Sequence, residues 1–384
     1  MDPWENRTRL QMLKRKFFML LKEDETSELQ KLLDDADFMD YMIDNDQLSL
    51  AFVQVILLNN RPMLDVLIKH GVDINTLDSM FMENGIMQAA RYGHKEMMLH
   101  LIKLGVHVNH QSENGSTALH IAIENVKHNF LELLVQQPGI DLNIKDCSGF
   151  SPLLWTARLR DWRAMKIMID AGCNIESKDF TKGVNSLHIV VDKNQAFWKG
   201  KLATLEDNNK CIELLLKSGV DIDAGDVYKN TPLLYAIRCN NHNAVKKLLK
   251  MNCKFIASRR VGSAFASTQF YFNPDLVGCD LTLFPLYVAM SKLQTKTVKM
   301  LCLAGIKYHK LANEKRILDF MSSTYEPLGE MLTDLVYHPM SLKQACRCAI
   351  RQSLSYNIED LRSADLGLPA ILVSYICLDD LDEL

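Results

Sequence analysis

The sequence predicts an all-α chain: a tandem array of two-helix units followed by a small C-terminal helical domain. Three observations carry that prediction. A glycine or asparagine closes a leucine-rich helix repeatedly, at a spacing near 33 residues. A helix-opening motif recurs in phase with it. Past Lys310 the period stops and a different apolar pattern begins.

The closing residue comes first. LIKHG ends at Gly71, LIKLG at Gly105, LVQQPG at Gly139, MIDAG at Gly172 and LLLKSG at Gly219; Asn252 takes the slot in LLKMN and Gly305 in LCLAG. The steps are 34, 34, 33, 47, 33 and 53, so the two long ones read as one period plus an insertion. Gly and Asn are the residues that accept the left-handed conformation just past a helix. The opening motif is STALHIAI (116–123), SPLLWTA (151–157), NSLHIVV (185–191), TPLLYAI (231–237) and FPLYVAM (284–290). Ser or Thr caps the helix, and Pro fits its first turn. After the closing residue come short extended pieces such as VDIN, VHVN and IDLN that lead into a turn. Each unit is helix, turn, helix and loop.

These residues resemble the ankyrin repeat, whose signature includes T-P-L-H and a period of about 33. Thr117-Ala118-Leu119-His120-x-Ala122 and Thr231-Pro232-Leu233 are the closest matches. The resemblance implies an ankyrin-repeat solenoid of about seven units over residues 47–310. Residues 1–46 form an N-terminal helical segment, in which DETSELQKLLDD (24–35) resembles the second helix of one more, degenerate unit. Residues 311–337 supply linking and capping helices, which a terminal repeat needs because its outer face is otherwise bare.

Composition narrows the function classes. The 384 residues carry a net charge of −3, so no global field draws the chain to nucleic acid or to a membrane. No segment reaches the roughly 20 apolar residues of a membrane span. The opening MDPWENRTRLQMLKRKFFML lacks the apolar core of a signal peptide. Ten cysteines are scattered without a C-x-x-C, which predicts reduced thiols and a cytoplasmic protein, with the nucleus as the alternative. Cys346 and Cys348 with His338 do not have the spacing of a zinc site, and no metal or cofactor is expected. Phosphate-loop, Ser/His/Asp and HExxH patterns are missing as well, so a non-catalytic chain is expected.

Within the repeats, His120 and His188 share one position, which predicts a side chain bonded to turn backbone. Trp155, on a first helix, is either core or target-binding surface. Met-rich faces such as KEMMLHLI read as adaptable core. The insertions are the stronger binding candidates, because insertions in a repeat array project from one face. They fall at 192–209, DKNQAFWKGKLATLEDNN, and 258–280, SRRVGSAFASTQFYFNPDLVGCD. The second combines Arg259 and Arg260 with Phe270 and Tyr271, the arginine-plus-aromatic chemistry of protein interfaces. A packed excursion without a binding role is its alternative.

The tail, 338–384, begins HPMSLKQACRCAIRQSL. Ser341 caps a helix on which Leu342, Ala345, Cys346, Ile350 and Leu354 share one face at helical spacing. After a short loop, Leu368-Pro369 restarts a helix that carries Leu372 and Tyr375. This resembles a SOCS box, a three-helix motif whose first part binds elongin C through Leu-x-x-x-Cys-x-x-x-aliphatic. Leu342, Cys346 and Ile350 fit every defined position, and the contact is a helix laid in a groove. The second part, the cullin box, reads Leu-Pro-x-Pro in cullin-5 receptors; here Ile371 replaces the second proline. Cullin 5 is the preferred partner and cullin 2 the alternative. Leu368, Pro369, Leu372 and Tyr375 are the cullin-box residues.

The resemblance to the ankyrin-repeat and SOCS-box family implies a substrate-recognition subunit of a cullin-RING ubiquitin ligase. The repeats would hold an unknown target protein, and the tail would recruit elongin C with elongin B, a cullin and its RING-box protein. The alternative is an ankyrin scaffold that binds partner proteins without ligase recruitment.

Overall fold

The structure, a computed structural model, describes residues 3–23, 25–193, 204–255 and 284–306. Among them it is helical, without a strand; a single antiparallel bridge joins Leu77 and Asn84. The chain divides into two compact units. The first holds Met1–Thr156 with Arg163–Phe180, and the second holds Ala157–Trp162 and continues from Thr181.

The first unit opens with α1 (Pro3–Glu23), α2 (Thr26–Leu33) and α3 (Ala36–Asp44). Asp35 caps α3 by accepting from the Phe38 N–H at 3.3 Å. Phe17, Phe38 and Phe52 are fully enclosed where α1 meets α3 and α4 (Gln47–Leu57), and the Phe17 and Phe38 rings lie 6.0 Å apart. Enclosing each such side chain is worth about 1.5–3 kcal/mol. Helix pairs follow: α4 with α5 (Arg61–Lys69), α6 (Gly85–Tyr92) with α7 (Lys95–Lys103), and α8 (Ala118–Glu124) with α9 (His128–Val135). Then comes α10 (Pro152–Leu159) with α11 (Trp162–Asp170), the pair through which the division into units runs.

First helices stack on first helices. α6 packs on both α4 and α8, and on its own partner α7. That three-sided contact encloses every residue from Gly85 to Ala90, which is why the α6 sequence shows no exposed polar stripe there. Second helices keep a one-sided pattern. In α7, Met97, Met98 and Leu101 are enclosed, so the Met-rich face is core, while Lys95, Glu96 and Lys103 stay at or near the surface.

The second unit repeats the scheme with α12 (Ser186–Val191), α13 (Leu205–Lys217), α14 (Pro232–Arg238), α15 (His242–Lys250), α16 (Phe284–Ser291) and α17 (Thr295–Leu303). α14 packs on α12 and α16, and α15 on α13 and α17. The residues expected to close each unit all take left-handed backbone, from Asn252 at φ +60° to Gly305 at +100°.

The first insertion is partly helix. Residues 194–203 lie outside the described residues, but 205–209 form the first turns of α13. The reason is local: Thr204 Oγ1 accepts from the Asp207 N–H at 3.1 Å, and the Asp207 carboxylate accepts from Thr204 N–H and O–H. Where the chain leaves α12, Arg160 holds it. Its guanidinium donates to the carbonyls of Ile189 at 2.5 Å and Asp192 at 2.6 Å. The Asn241 amide donates to Val191 O at 3.0 Å, and the Cys239 thiol to Asp192 Oδ1 at 2.8 Å.

Candidate interaction surface

Three of the described turns between repeats share one construction. An aspartate at the start of the turn folds it by accepting two backbone N–H groups on Oδ1. Asp78 takes Phe81 and Glu83, Asp146 takes Ser148 and Phe150, and Asp226 takes Tyr228 and Asn230, all between 2.8 and 3.2 Å. Oδ2 is left for a donor four residues past the cap of the next first helix. That donor is the Gln88 amide at 3.4 Å, the Trp155 indole N–H at 2.8 Å and the Tyr235 hydroxyl at 2.9 Å. Two other units lack it: the donor position is Ile121 in one and Ile189 in the next but one, Ser112 replaces the aspartate in the first, its Oγ accepting from the Ser116 N–H, and Phe180 replaces it in the second.

This construction places Trp155. The indole is part-buried, its N–H is spent on Asp146, and its ring meets Phe150 edge-on with centroids 6.3 Å apart. Tyr235 is likewise committed: burial, reinforced by Asp226, pushes its phenol well above the ordinary value, so it stays a neutral donor.

The two repeat-position histidines bind turn backbone. His120 is 2% exposed; its Nδ1 accepts from the Thr117 N–H at 3.1 Å and its Nε2–H donates to Phe150 O at 3.0 Å. Those bonds select the Nε2–H tautomer, and burial holds its pKa below the usual histidine value. His188 does the same with Asn230 O at 2.9 Å. Three cysteine thiols are pushed up by burial, Cys173 to about 11 and Cys211 and Cys302 to about 12, the opposite of a reactive thiolate.

One surface was not anticipated by the sequence. Between α4 and the 77–84 turn lies an open cleft of about 480 Å³. Leu50, Val53 and Leu57 form one wall, Met80 and Phe81 the other, and Tyr92 closes an end. Met80 is 73% exposed, Tyr92 54% and Phe81 47%. Beneath them Glu83, only 3% exposed, receives both Nε and Nη2 of Arg91, and that contact holds the guanidinium above its ordinary pKa. The readable signal is SMFMEN at 79–84, an apolar turn tip where other units have ENGS, CSGF or VYKN.

The remaining sequence-derived candidates lie outside the described residues: Arg259, Arg260, Phe270 and Tyr271 of the second insertion, and Leu342, Ala345, Cys346, Ile350, Leu354, Leu368, Pro369, Leu372 and Tyr375 of the tail. Among the described residues, no helix is long and apolar enough to cross a membrane.

Comparison with known families decides the identity. Ankyrin repeats match residues 52–146 and 201–260, and a SOCS box matches residues 338–377. The chain carries both modules of the ankyrin-repeat and SOCS-box family, the repeats first and the SOCS box after them. Both are interaction modules rather than catalytic domains. Similar ankyrin-bearing proteins include human Rabankyrin-5, 24% identical over 51% of this chain and 17% of its own length. An ankyrin repeat protein of fowlpox virus is 29% identical over 37% of this chain and 31% of its own. Mouse protein phosphatase 1 regulatory subunit 12A is 33% identical over 24% and 9%. The chain therefore spans less than a third of the length of each of these relatives. The ankyrin turns supply the hydrogen-bonded frame described above, and the cleft sits at one of them.

Proposed function

We propose that this ankyrin-repeat and SOCS-box protein is the substrate-recognition subunit of an elongin- and cullin-based RING ubiquitin ligase. The observation that carries the reading is the order of modules: ankyrin repeats first, then a SOCS box at 338–377. SOCS boxes in general bind elongin B/C and a cullin. Leu342, Cys346 and Ile350 anchor the elongin-binding helix in a groove on elongin C, with Ala345 and Leu354 beside them. Leu368, Pro369, Leu372 and Tyr375 form the cullin box, and cullin 5 is preferred over cullin 2. We divide the chain into an N-terminal segment (1–46), repeats (47–310), linking helices (311–337) and the SOCS box (338–384). Arg259, Arg260, Phe270 and Tyr271 take part in target capture, and Trp155 contributes its exposed edge.

No bond is made or broken by the chain itself. It holds a target while the recruited subunits bring a charged ubiquitin-conjugating enzyme, and proximity raises the effective concentration of target lysines. Repeats that are tied turn to helix by buried hydrogen bonds suit that task, because a flexible arm would dilute the target.

The test is co-expression with elongin B and elongin C followed by size-exclusion chromatography. Co-elution that disappears with Leu342→Asp or Cys346→Phe is expected. A wild-type chain that elutes folded and alone would make the protein an ankyrin scaffold without ligase recruitment.

A further inference from the structure

The cleft between α4 and the 77–84 turn has two chemically different halves. The apolar half stays open to solvent although Leu50, Leu57, Phe81 and Tyr92 line it, and clustered exposure of this kind marks an interaction site. The polar half carries three carboxylates, Asp46, Asp78 and Glu83, and one cation, Arg91. Arg91 is spent on Glu83, so the lining keeps a formal charge of −2 from Asp46 and Asp78.

Unused acceptors point the same way. Oε1 of Gln88 and Oε1 of Gln47, both residues of the lining, are enclosed and accept no hydrogen bond. The amide orientation of Gln88, itself 3% exposed, follows from its Nε2 donating to Asp78, which leaves Oε1 as the free acceptor. A hollow with apolar walls, unneutralised carboxylates and idle acceptors is complementary to an apolar side chain beside a cationic donor.

The walls are preformed. The Asp78 N–H donates to Glu83 O at 2.9 Å across the turn. The Glu113 N–H donates to Phe81 O at 2.9 Å, and His110 Nε2 to Met82 O at 2.7 Å, which ties this turn to the next. Little ordering is left for binding to require. The exposed Met82, next to the wall residues Met80 and Phe81 but outside the lining, continues the apolar surface beyond the cleft, which fits a chain passing through it better than a small molecule enclosed by it.

We propose that this cleft binds a linear segment of a partner protein through one bulky apolar side chain, with a lysine or arginine within two residues of it. The apolar side chain sits against Leu50, Leu57 and Phe81, and the cation faces Asp46 and Asp78. The inference rests on the target-binding half of the function proposed above and not on elongin recruitment, which co-elution reads separately.

The test is selection of a phage-displayed library of random short peptides on the immobilised full-length chain, in parallel with two variants. Leu50→Asp destroys the apolar wall at an exposed position. Asp46→Asn with Asp78→Asn removes both charges; Asn tolerates the left-handed φ of +53° at 46 and keeps the Oδ1 acceptor at 78. Circular dichroism melting checks that both variants fold. The wild-type pool should be enriched in a bulky apolar residue within two positions of Lys or Arg. A peptide from it should bind Leu50→Asp about ten-fold more weakly or worse, and should lose its salt dependence on the double variant. A pool without that pairing, no enrichment at all, or equal binding to Leu50→Asp would overturn the proposal.

Discussion

The indole N–H of Trp155 donates to Oδ2 of Asp146 at 2.8 Å, while Oδ1 of the same carboxylate folds the 146–150 turn by accepting from Ser148 and Phe150 at 2.9 Å each. One buried carboxylate thus fastens a turn to the helix that follows it. Trp155→Phe leaves Oδ2 without this donor and should cost about 1–3 kcal/mol. In a double-mutant cycle with Asp146→Asn, urea unfolding should show a coupling of about 0.5–3 kcal/mol. Strict additivity would mean that the two residues act independently.

Arg160 presents opposing effects. Burial disfavours its charge and pulls its pKa down to about 10. Against this, its fork satisfies the Ile189 and Asp192 carbonyls at the end of α12. Lysine keeps the charge but lacks the planar fork. Arg160→Lys should therefore lose about 1–3 kcal/mol in urea unfolding; a wild-type midpoint would show that the fork adds nothing.

Two glycines separate backbone conformation from space. At Gly71, φ is +89° and an added Cβ meets nothing within 4 Å, so Gly71→Ala should cost only the conformational penalty, about 1–2 kcal/mol. At Gly149, φ is +82° and the Cβ would lie 2.3 Å from the Phe180 backbone nitrogen. Gly149→Ala must also displace that turn, and its thermal midpoint should fall clearly further than that of Gly71→Ala. Equal losses would mean that Phe180 moves aside freely.

Acid should destabilise the first unit through His120. Its folded pKa lies below the unfolded value of about 6.5 because burial disfavours the cation. The unfolded chain then binds more protons in acid, so the contribution is full above about pH 6.5 and is lost as pH falls below it. His120→Gln should unfold more easily at neutral pH yet lose less on acidification from about pH 7.5 to about pH 5.5. An unchanged pH slope would remove His120 as its source.

In the tail, Leu368→Ala with Pro369→Ala should weaken cullin pull-down and leave elongin co-elution intact. Indifference of both cullin 5 and cullin 2 would misplace the cullin box. Trimming 258–280 should reduce target capture without lowering the melting temperature of the repeats; loss of folding would make that insertion structural.

Much of this molecule was legible in its residues. The Gly71-to-Gly305 slot gave the period because Gly and Asn accept the left-handed residue past each second helix most readily. The shared position of His120 and His188 revealed side chains that bind turn backbone. The cleft was not legible: Leu50 and Phe81 are 31 positions apart in the chain, and either alone reads as an ordinary surface or turn residue. Trp155 and Arg160 were opaque for a related reason. Whether a tryptophan is surface or brace depends on an aspartate nine residues earlier, and whether an arginine is solvated or buried depends on carbonyls about 30 residues later.

By itself, then, the sequence determined the repeat, the residues that close its units and the presence of a SOCS box, because these rest on local spacing: caps, left-handed stops and a single apolar stripe. Only the tertiary structure decided which turn tip opens a cleft, which carboxylate there is paired with a cation, and which polar side chains lock one element to another. Those outcomes depend on who meets whom across the stack of helices, where a side chain's partners come from the neighbouring unit as well as from its own.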